Sequence, residues 1–160
     1  MNAARLWKLM TAEQRRRASA ALWAAQEAAN DQAQAVMLIA RQMKMRPKSA
    51  VGLDADRKVR YLASVPDVPE SLAASLLVAY HIAEQRPMMG AFLDALGITH
   101  ENGLIHEGAT APDAARIPAA AATVAKTYPS EDVALYFNTL VSQDPLTWGA
   151  LESIVEKGPR

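Results

Sequence analysis

The sequence predicts an all-α protein, a compact array of about eight or nine short helices. Two observations support this class. Apolar residues recur at helical spacing along most of the chain, and capping residues and prolines separate these stretches. Only residues 98–107 carry a strand signal. A chain of 160 residues has the length of one domain with a sizeable core, so we expect a single helical domain over 1–160.

The segment 69–98 is expected to form a central helical hairpin, around which the other helices pack. Its first half, 72–83, is apolar on most sides of a helix, which is typical of a helix surrounded by other helices. Pro87 interrupts this helix, and a second one follows with Phe92 at the middle of its apolar face. Gly97 is expected to close that second helix in a left-handed conformation.

Residues typical of helix starts divide the part of the chain that precedes this hairpin into several helices. A short helix at 2–10 is followed by Thr11 and Gln14, which have the spacing of a capping box and begin a second helix. Asn30 and Asp31 are typical N-cap residues and predict the start of a third helix. Four residues of the first helix are expected to face the core: Leu6, Trp7, Leu9 and Met10.

A small β-hairpin is predicted within 98–107. The pair Asn102 and Gly103 lies between apolar residues and is a strong local signal, because a type I′ turn requires positive φ at both central positions. A two-residue turn would pair His100 with Ile105.

Three further helical stretches are predicted beyond residue 112. Asp113 starts the first, and Pro118 removes a backbone donor within it, so the helix should kink or restart there. Ser130 is expected to cap the second stretch. Asp144 and Pro145 supply a cap and a first-turn proline for the last one.

The net charge is zero, but the charges are unevenly distributed. Residues 1–60 contain twelve Lys and Arg against five Asp and Glu, a net charge of +7, and residues 61–160 have a net charge of −7. This split predicts one basic and one acidic side, unless it is chance scatter over the surface. Three arginines at 15–17 begin the second helix, where its dipole disfavours cations. Their position indicates an external anion or an acidic neighbour, with plain solvation as the alternative.

The most basic stretch is 41–60, which holds seven Lys and Arg against two Asp, a net charge of +5. Its basic residues are predicted to bind a partner or a nucleic acid: Arg41, Lys44, Arg46, Lys48, Arg57, Lys58 and Arg60. The alternative is a solvated loop between core helices, in which the long side-chain stems cover apolar surface.

The segment IARQMKMRPKSAV within this stretch has apolar residues at helical spacing and a proline-led helix start. The spaced residues are Ile39, Ala40, Met43, Met45, Ala50 and Leu53. In this pattern it resembles the helix-turn-helix of bacterial DNA-binding regulators. The resemblance implies a DNA-binding segment over 36–55 whose recognition helix starts at Pro47 and Lys48. Lys44 takes the place of the family's usual turn glycine, and Gly52 falls within the implied recognition helix, where glycine costs about 1 kcal/mol relative to alanine.

No catalytic or cofactor-binding motif is present, since the chain lacks a phosphate loop, a nucleophile elbow and the zinc motif H-E-x-x-H. His81 and Glu84 share a helix face and are the candidate pair for an enzymatic site, against a structural helix-end histidine. His100 and His106 flank the predicted turn. A two-residue turn puts them on opposite faces, where they cannot share a metal, and a three-residue turn puts them on one face. We expect no metal, no cofactor and no catalysis.

These observations favour a non-catalytic binding module that uses its basic N-terminal side, beside an acidic C-terminal side, to hold a protein or an anionic partner, which could be a second copy of itself. A DNA-binding regulator is the alternative, and an enzyme with a site near His81 and Glu84 is the second alternative. No stretch reaches the roughly 18 apolar residues of a membrane span, so no membrane partner is expected. The absence of cysteine and of an apolar signal-peptide core fits the cytoplasm.

Overall fold

The computed structural model describes residues 1–156 and confirms the all-α class. In this part of the chain, eight α-helices of seven or more residues are accompanied by three shorter ones and by a single two-stranded sheet. Across the same residues, no helix combines the length and the apolar character that spanning a bilayer would require. The chain divides into two compact units, Asn2–Glu84 and Gln85–Arg160. The expectation of one domain over 1–160 stays a prediction.

The N-terminal unit contains six helices: α1 (Ala3–Leu9), α2 (Ala12–Ala24), α3 (Ala29–Gln42), α4 (Pro47–Val51), α5 (Ala55–Ser64) and α6 (Glu70–Glu84). Helix α2 packs against both α5 and α6, α1 packs against α6, and α3 packs against α4 and α5. Leu72, Leu76 and Leu77 of α6 are fully buried, as expected for a helix that is apolar on most sides.

Three long-range hydrogen bonds hold α1 in place. The carboxylate of Glu70 accepts from the backbone amides of Ala3 at 2.8 Å and Ala4 at 2.9 Å. These amides have no partner inside α1, so α6 satisfies the open end of the helix. The indole of Trp7, which is fully buried, donates to the carbonyl of Val65 over 2.8 Å. Both ends of α1 are therefore tied to the segment that leads into α6.

The start of α2 is as predicted, because the capping box at Thr11 and Gln14 is present. The prediction that Leu9 faces the core was wrong, since this side chain is 64% exposed. The residues of this segment that are buried form one stripe: Ala3, Leu6, Trp7 and Met10. At about 100° per residue, Leu9 falls well to one side of that stripe.

The predicted start of α3 was also wrong. The helix begins at Ala29, before Asn30, and no side chain caps it. The connection from α2 is held by Gln32, whose side-chain amide donates to the carbonyls of Leu22 at 2.9 Å and Ala25 at 3.0 Å. A side chain from the following helix thus closes the end of α2, and the N-cap pattern in the sequence did not reveal this contact.

The C-terminal unit begins with α7 (Arg86–Ala95) and a β-hairpin of β1 (His100–Glu101) and β2 (Leu104–Ile105). A 3-10 turn at Ala114–Arg116 leads into α8 (Ile117–Thr127), followed by α9 (Ser130–Gln143), α10 (Pro145–Trp148), a 3-10 turn at Gly149–Leu151 and α11 (Glu152–Glu156). Pro118 lies in the first turn of α8, so the helix restarts there as predicted. The segment 69–98 is present as α6 and α7 with a break at Gln85, and each helix packs within its own unit.

Phe92 of α7 is the centre of the C-terminal core. Its ring lies 5.8 Å from the ring of Tyr136, 5.1 Å from Phe137 and 5.8 Å from Trp148, measured between centroids. Such pairs add about 0.5–1.5 kcal/mol each to the free energy gained from burial. Burial also raises the pKa of the Tyr136 phenol. This cluster joins α7, α9 and α10 into one core.

The β-hairpin prediction is confirmed. Asn102 has φ 51° and Gly103 has φ 87°, and the register pairs His100 with Ile105. A Cβ on Gly103 would lie 2.9 Å from the Cβ of Met89. Any other residue at position 103 would therefore collide with α7, and glycine allows the turn to pack this closely against the helix. The hairpin is therefore fixed both by its own turn and by its contact with the helix.

Leu76→Ala and Phe137→Ala should each lower the free energy of unfolding by about 2–5 kcal/mol, because both side chains are almost completely buried. Val78 lies on the same helix as Leu76 but is 38% exposed, so Val78→Ala is the matched control and should cost less than about 1 kcal/mol. Denaturant unfolding followed by circular dichroism measures all three. Wild-type midpoints for the two core variants would contradict the packing described here.

Candidate functional site

The seven basic residues predicted as a binding site lie in the N-terminal unit, between the last turn of α3 and the middle of α5. Six of them are exposed and Lys58 is half-buried. The contacts of their side chains separate them into two groups. The first group lies on α5, and the second lies on the end of α3, the connection that follows it, and α4.

The basic residues of α5 are engaged within the unit. Arg57 lies 3.6 Å from the carboxylate of Asp54, which also accepts from the Arg57 backbone amide at 2.8 Å and so caps the helix. The ammonium of Lys58 lies 5.5 Å from the ring centroid of Trp23, and the guanidinium of Arg60 lies 5.6 Å from the ring of the residue that follows it. These are cation–π distances. The positive charges of this group therefore interact with other residues of the N-terminal unit.

The second group consists of Arg41, Lys44, Arg46 and Lys48. All four side chains are exposed, and among the described residues none of them forms an ion pair. Four positive charges within eight positions of the chain are thus left to solvent or to a partner.

Exposed apolar side chains accompany these four cations. Met37 is 53% exposed, Met43 is 40% exposed and Val51 is 59% exposed. Met37 is four residues before Arg41 on α3, a spacing that puts the two on the same side of the helix. We call this combined set the basic face: Met37, Arg41, Met43, Lys44, Arg46, Lys48 and Val51.

The backbone of the basic face is a helix, a turn and a very short helix. Lys44 has φ 51°, so the turn is left-handed at the position where helix-turn-helix proteins usually have glycine. Pro47 starts α4, and the helix ends at Val51 after five residues. Gly52 therefore lies beyond this helix and not within it, which corrects the placement implied by the resemblance. Ala50 is fully buried, and it packs α4 against the rest of the N-terminal unit.

Two of the three arginines at the start of α2, Arg16 and Arg17, have acidic neighbours within the unit. Glu13 accepts from Arg16 at 2.7 Å and from Arg17 at 2.9 Å, and Arg17 also lies 3.2 Å from Glu84. These bonds from Arg16 and Arg17 lower the pKa of Glu13 to about 2, and Glu13 in turn raises the pKa of both arginines. No external anion is needed to explain the position of Arg16 and Arg17.

His81 and Glu84 both make structural contacts. The imidazole of His81 is buried, and its Nδ1 lies 2.8 Å from the carbonyl of Leu77. A carbonyl only accepts, so Nδ1 carries the hydrogen and donates it. Glu84 pairs with Arg17, as described above. An enzymatic site at this pair stays a prediction.

His100 and His106 flank a two-residue turn, so their side chains are on opposite faces of the hairpin. His100 Nδ1 accepts from the Gly103 amide at 3.0 Å, which leaves Nε2 to donate to Asp94 at 2.7 Å. In the described part of the chain, no three His, Asp or Glu residues are grouped in a way that would hold a metal ion.

The structure also shows an open groove that the sequence did not single out. It lies between α2 and α6 and is closed at one end by the start of α3, with a volume of about 680 Å³. Seven of its thirteen lining residues are alanines. Ala21 and Ala25 on one wall, and Ala79 and Ala83 on the other, repeat every four residues. In the sequence, this four-residue spacing of alanines was the signal that could have indicated the groove. The same spacing is also typical of two closely packed helices.

Comparison with known proteins gives no assignment. No protein-family model, no curated protein and no solved structure matches the chain. Function is therefore inferred from the residues and geometry of these surfaces.

The pKa of Glu13 gives a pH prediction. Because this pKa falls from 4.5 to about 2 on folding, the carboxylate stabilises the fold above pH 4.5, and this contribution is lost as the pH falls toward 2. The stability difference between wild type and Glu13→Gln should therefore be largest above pH 4.5 and vanish near pH 2. Denaturant unfolding across this range measures it.

An NMR titration of the Glu13 carboxyl provides the direct check. Its midpoint should rise toward 4.5 in Arg16→Met, because the hydrogen bond from Arg16 is the largest cause of the lowered pKa. An unchanged midpoint in that variant would contradict the ion pairs described here.

Proposed function

We propose that the N-terminal unit is a non-catalytic binding module that uses the basic face to hold an acidic surface of a protein partner. One observation carries this proposal: within residues 37–51, four exposed cations that form no ion pair in the described part of the chain are interspersed with three exposed apolar side chains.

The mixture of charge and apolar surface favours a protein as the partner. Protein interfaces commonly have an apolar centre surrounded by a polar rim, and methionine and arginine are enriched in them. Met37 and Met43 supply flexible apolar contacts that adapt to a partner's shape. Arg41, Lys44 and Lys48 would steer an acidic surface toward these contacts and suppress basic partners.

A second copy of the chain offers one such acidic surface. Residues 85–156 contain nine Asp and Glu against three Lys and Arg, a net charge of −6. A basic face on one copy and an acidic unit on another would give head-to-tail association, which depends on opposite charges and not on a symmetric interface. Another acidic protein would satisfy the same chemistry.

Charge reversal at Lys48 tests the proposal. Lys48→Glu should weaken binding to polyglutamate, and should weaken any self-association seen by sedimentation at about 20 mM salt, where charges are poorly screened. Arg5→Glu is the matched control. Arg5 is exposed on α1 of the same unit, lies outside the basic face, and among the described residues has no ion pair, so the change of net charge is identical.

We expect a loss of affinity of about threefold to tenfold for Lys48→Glu and less than about twofold for Arg5→Glu, in line with the energies of exposed charge pairs. The difference should shrink at about 1 M salt, where the screening length is about 3 Å. Equal losses in the two variants would mean that only net charge matters, and the proposal would fail.

A second candidate function is DNA binding, and the left-handed turn at Lys44 favours it, since it reproduces the turn of the helix-turn-helix. Against it, α4 has only five residues, a length of about 8 Å, which leaves little helix to enter a groove. Asp54 and Asp56 are also exposed directly after it and would repel phosphates.

We therefore expect no sequence-specific retardation of duplex DNA in a gel shift at about 50 mM salt, where phosphate contacts are strong. Any non-specific binding should weaken equally for all duplexes in Lys48→Ala. Retardation that resists competitor DNA and is lost in Lys48→Ala would instead establish the DNA-binding function.

A further inference from the structure

We infer that the groove between α2 and α6 binds a lipophilic organic cation, a small molecule with an apolar body and one positive charge. The groove belongs to the N-terminal unit and uses none of the residues of the basic face. Its ligand would therefore be chemically different from the acidic partner proposed above, and neither proposal depends on the other.

The size of the groove fits a small molecule. Its volume of about 680 Å³ lies inside the range of about 300–1,000 Å³ that is typical of ligand sites. The space exists because alanine methyls at positions such as Ala21, Ala25 and Ala79 are too short to fill the gap between α2 and α6.

The walls of the groove are almost entirely apolar. Val78, on the α6 wall, is 38% exposed, and Ala24 and Ala83 are also exposed to solvent. Burying exposed apolar surface is favourable in proportion to the area removed from water. An apolar molecular body would gain this energy, and the hydroxyl of Ser75 is the one uncharged polar side chain that lines the groove.

The charged groups that line the groove are both acidic. Glu27 and Asp31 lie on the rim formed by the connection from α2 to α3 and by the first turn of α3. Among the described residues, neither carboxylate forms an ion pair. A cationic group at this rim would be attracted, and an anionic ligand of the same shape would be repelled.

The position of the two carboxylates favours a single charge on the ligand. Glu27 and Asp31 are four residues apart at one end of the groove, and the rest of its length lacks charged side chains. A basic helix carries charges along its whole length, and would leave most of them beside apolar walls. A compact cation with an apolar body matches this distribution without unpaired charges.

The rim is held in place before any ligand arrives. The side-chain amide of Gln32 donates to the carbonyls of Leu22, Trp23 and Ala25 at 2.9, 3.3 and 3.0 Å. These bonds fix the end of α2, from which the connection carrying Glu27 departs. A preformed site loses less entropy on binding than a mobile one.

The experiment uses the full-length chain and two probes that are matched in size and shape but opposite in charge, tetraphenylphosphonium and tetraphenylborate. Binding of each is followed by NMR amide shifts, which report where a probe binds as well as how tightly. We expect tetraphenylphosphonium to shift amides around the groove in a saturable way, with tetraphenylborate at least about threefold weaker there, in line with the energies of exposed charge pairs.

Variants separate the charge of the rim from the shape of the groove. Glu27→Gln combined with Asp31→Asn should weaken the phosphonium by about threefold to tenfold, since both carboxylates of the rim, one exposed and one half-buried, are removed. Asp56→Asn is the control, because Asp56 is exposed in the same unit and lies outside the groove.

Ala83→Leu should block the groove, and Ala24→Leu is a second blocking variant on the opposite wall. Both positions are exposed, so folding should be retained.

Phosphonium shifts that lie outside the groove, or that persist unchanged in both blocking variants, would overturn the inference. Equal binding of the two probes at the groove would also overturn it, because the rim carboxylates would then play no role. Binding of a basic amphipathic peptide at the groove without binding of the phosphonium would show that the surface docks a helix instead.

Discussion

The packing of α2 against both α5 and α6 is the constraint on which the rest of the N-terminal unit depends. Ser19, in the middle of α2, is fully buried and donates to the carbonyl of Val59 over 2.8 Å, while Arg17 reaches Glu84 on the other side. Trp23 at the end of α2 lies under the ammonium of Lys58. Because α2 touches both neighbours, it forms one wall of the groove and also holds the helix that follows the basic face.

Helix α3 connects the two candidate surfaces and separates their charges. Asp31 lies in its first turn on the rim of the groove, and Arg41 lies in its last turn on the basic face. Ten residues of helix separate them by about 15 Å. Both charges are placed favourably for the helix dipole, which stabilises anions at the first turn and cations at the last. One helix thus presents opposite charges at the two candidate surfaces without a cost to its own stability.

Several features determined by neighbouring residues were predictable from the sequence, and features determined by tertiary contacts were not. One local prediction was wrong, because Ser130 is the first residue of α9 and does not cap it. The turn at Asn102 and Gly103 and the capping box at Thr11 depend on local backbone geometry, and both were predicted correctly. The start of α3 depends on Gln32 reaching back to α2, a contact that no local pattern encodes. The groove was missed for a related reason. Alanines at a four-residue spacing look the same whether a second helix fills the space beside them or leaves it open.

The same distinction explains which cations are available for binding. An exposed cation on a helix can form an ion pair with a carboxylate that lies three or four positions away, although on α5 Lys58 and Arg60 form none with Asp54 and Asp56 at this spacing. Arg16 and Arg17 have Glu13 at this spacing, and Arg57 has Asp54, and all three form ion pairs. The four cations of the basic face have only uncharged or basic residues at those positions: Arg41, Lys44, Arg46 and Lys48. Among the described residues, none forms an ion pair with these four cations, as this local sequence predicts. Lys58 and Arg60 also lack an ion pair there, and it is their contacts with the rings of Trp23 and Tyr61 that separate them from the basic face.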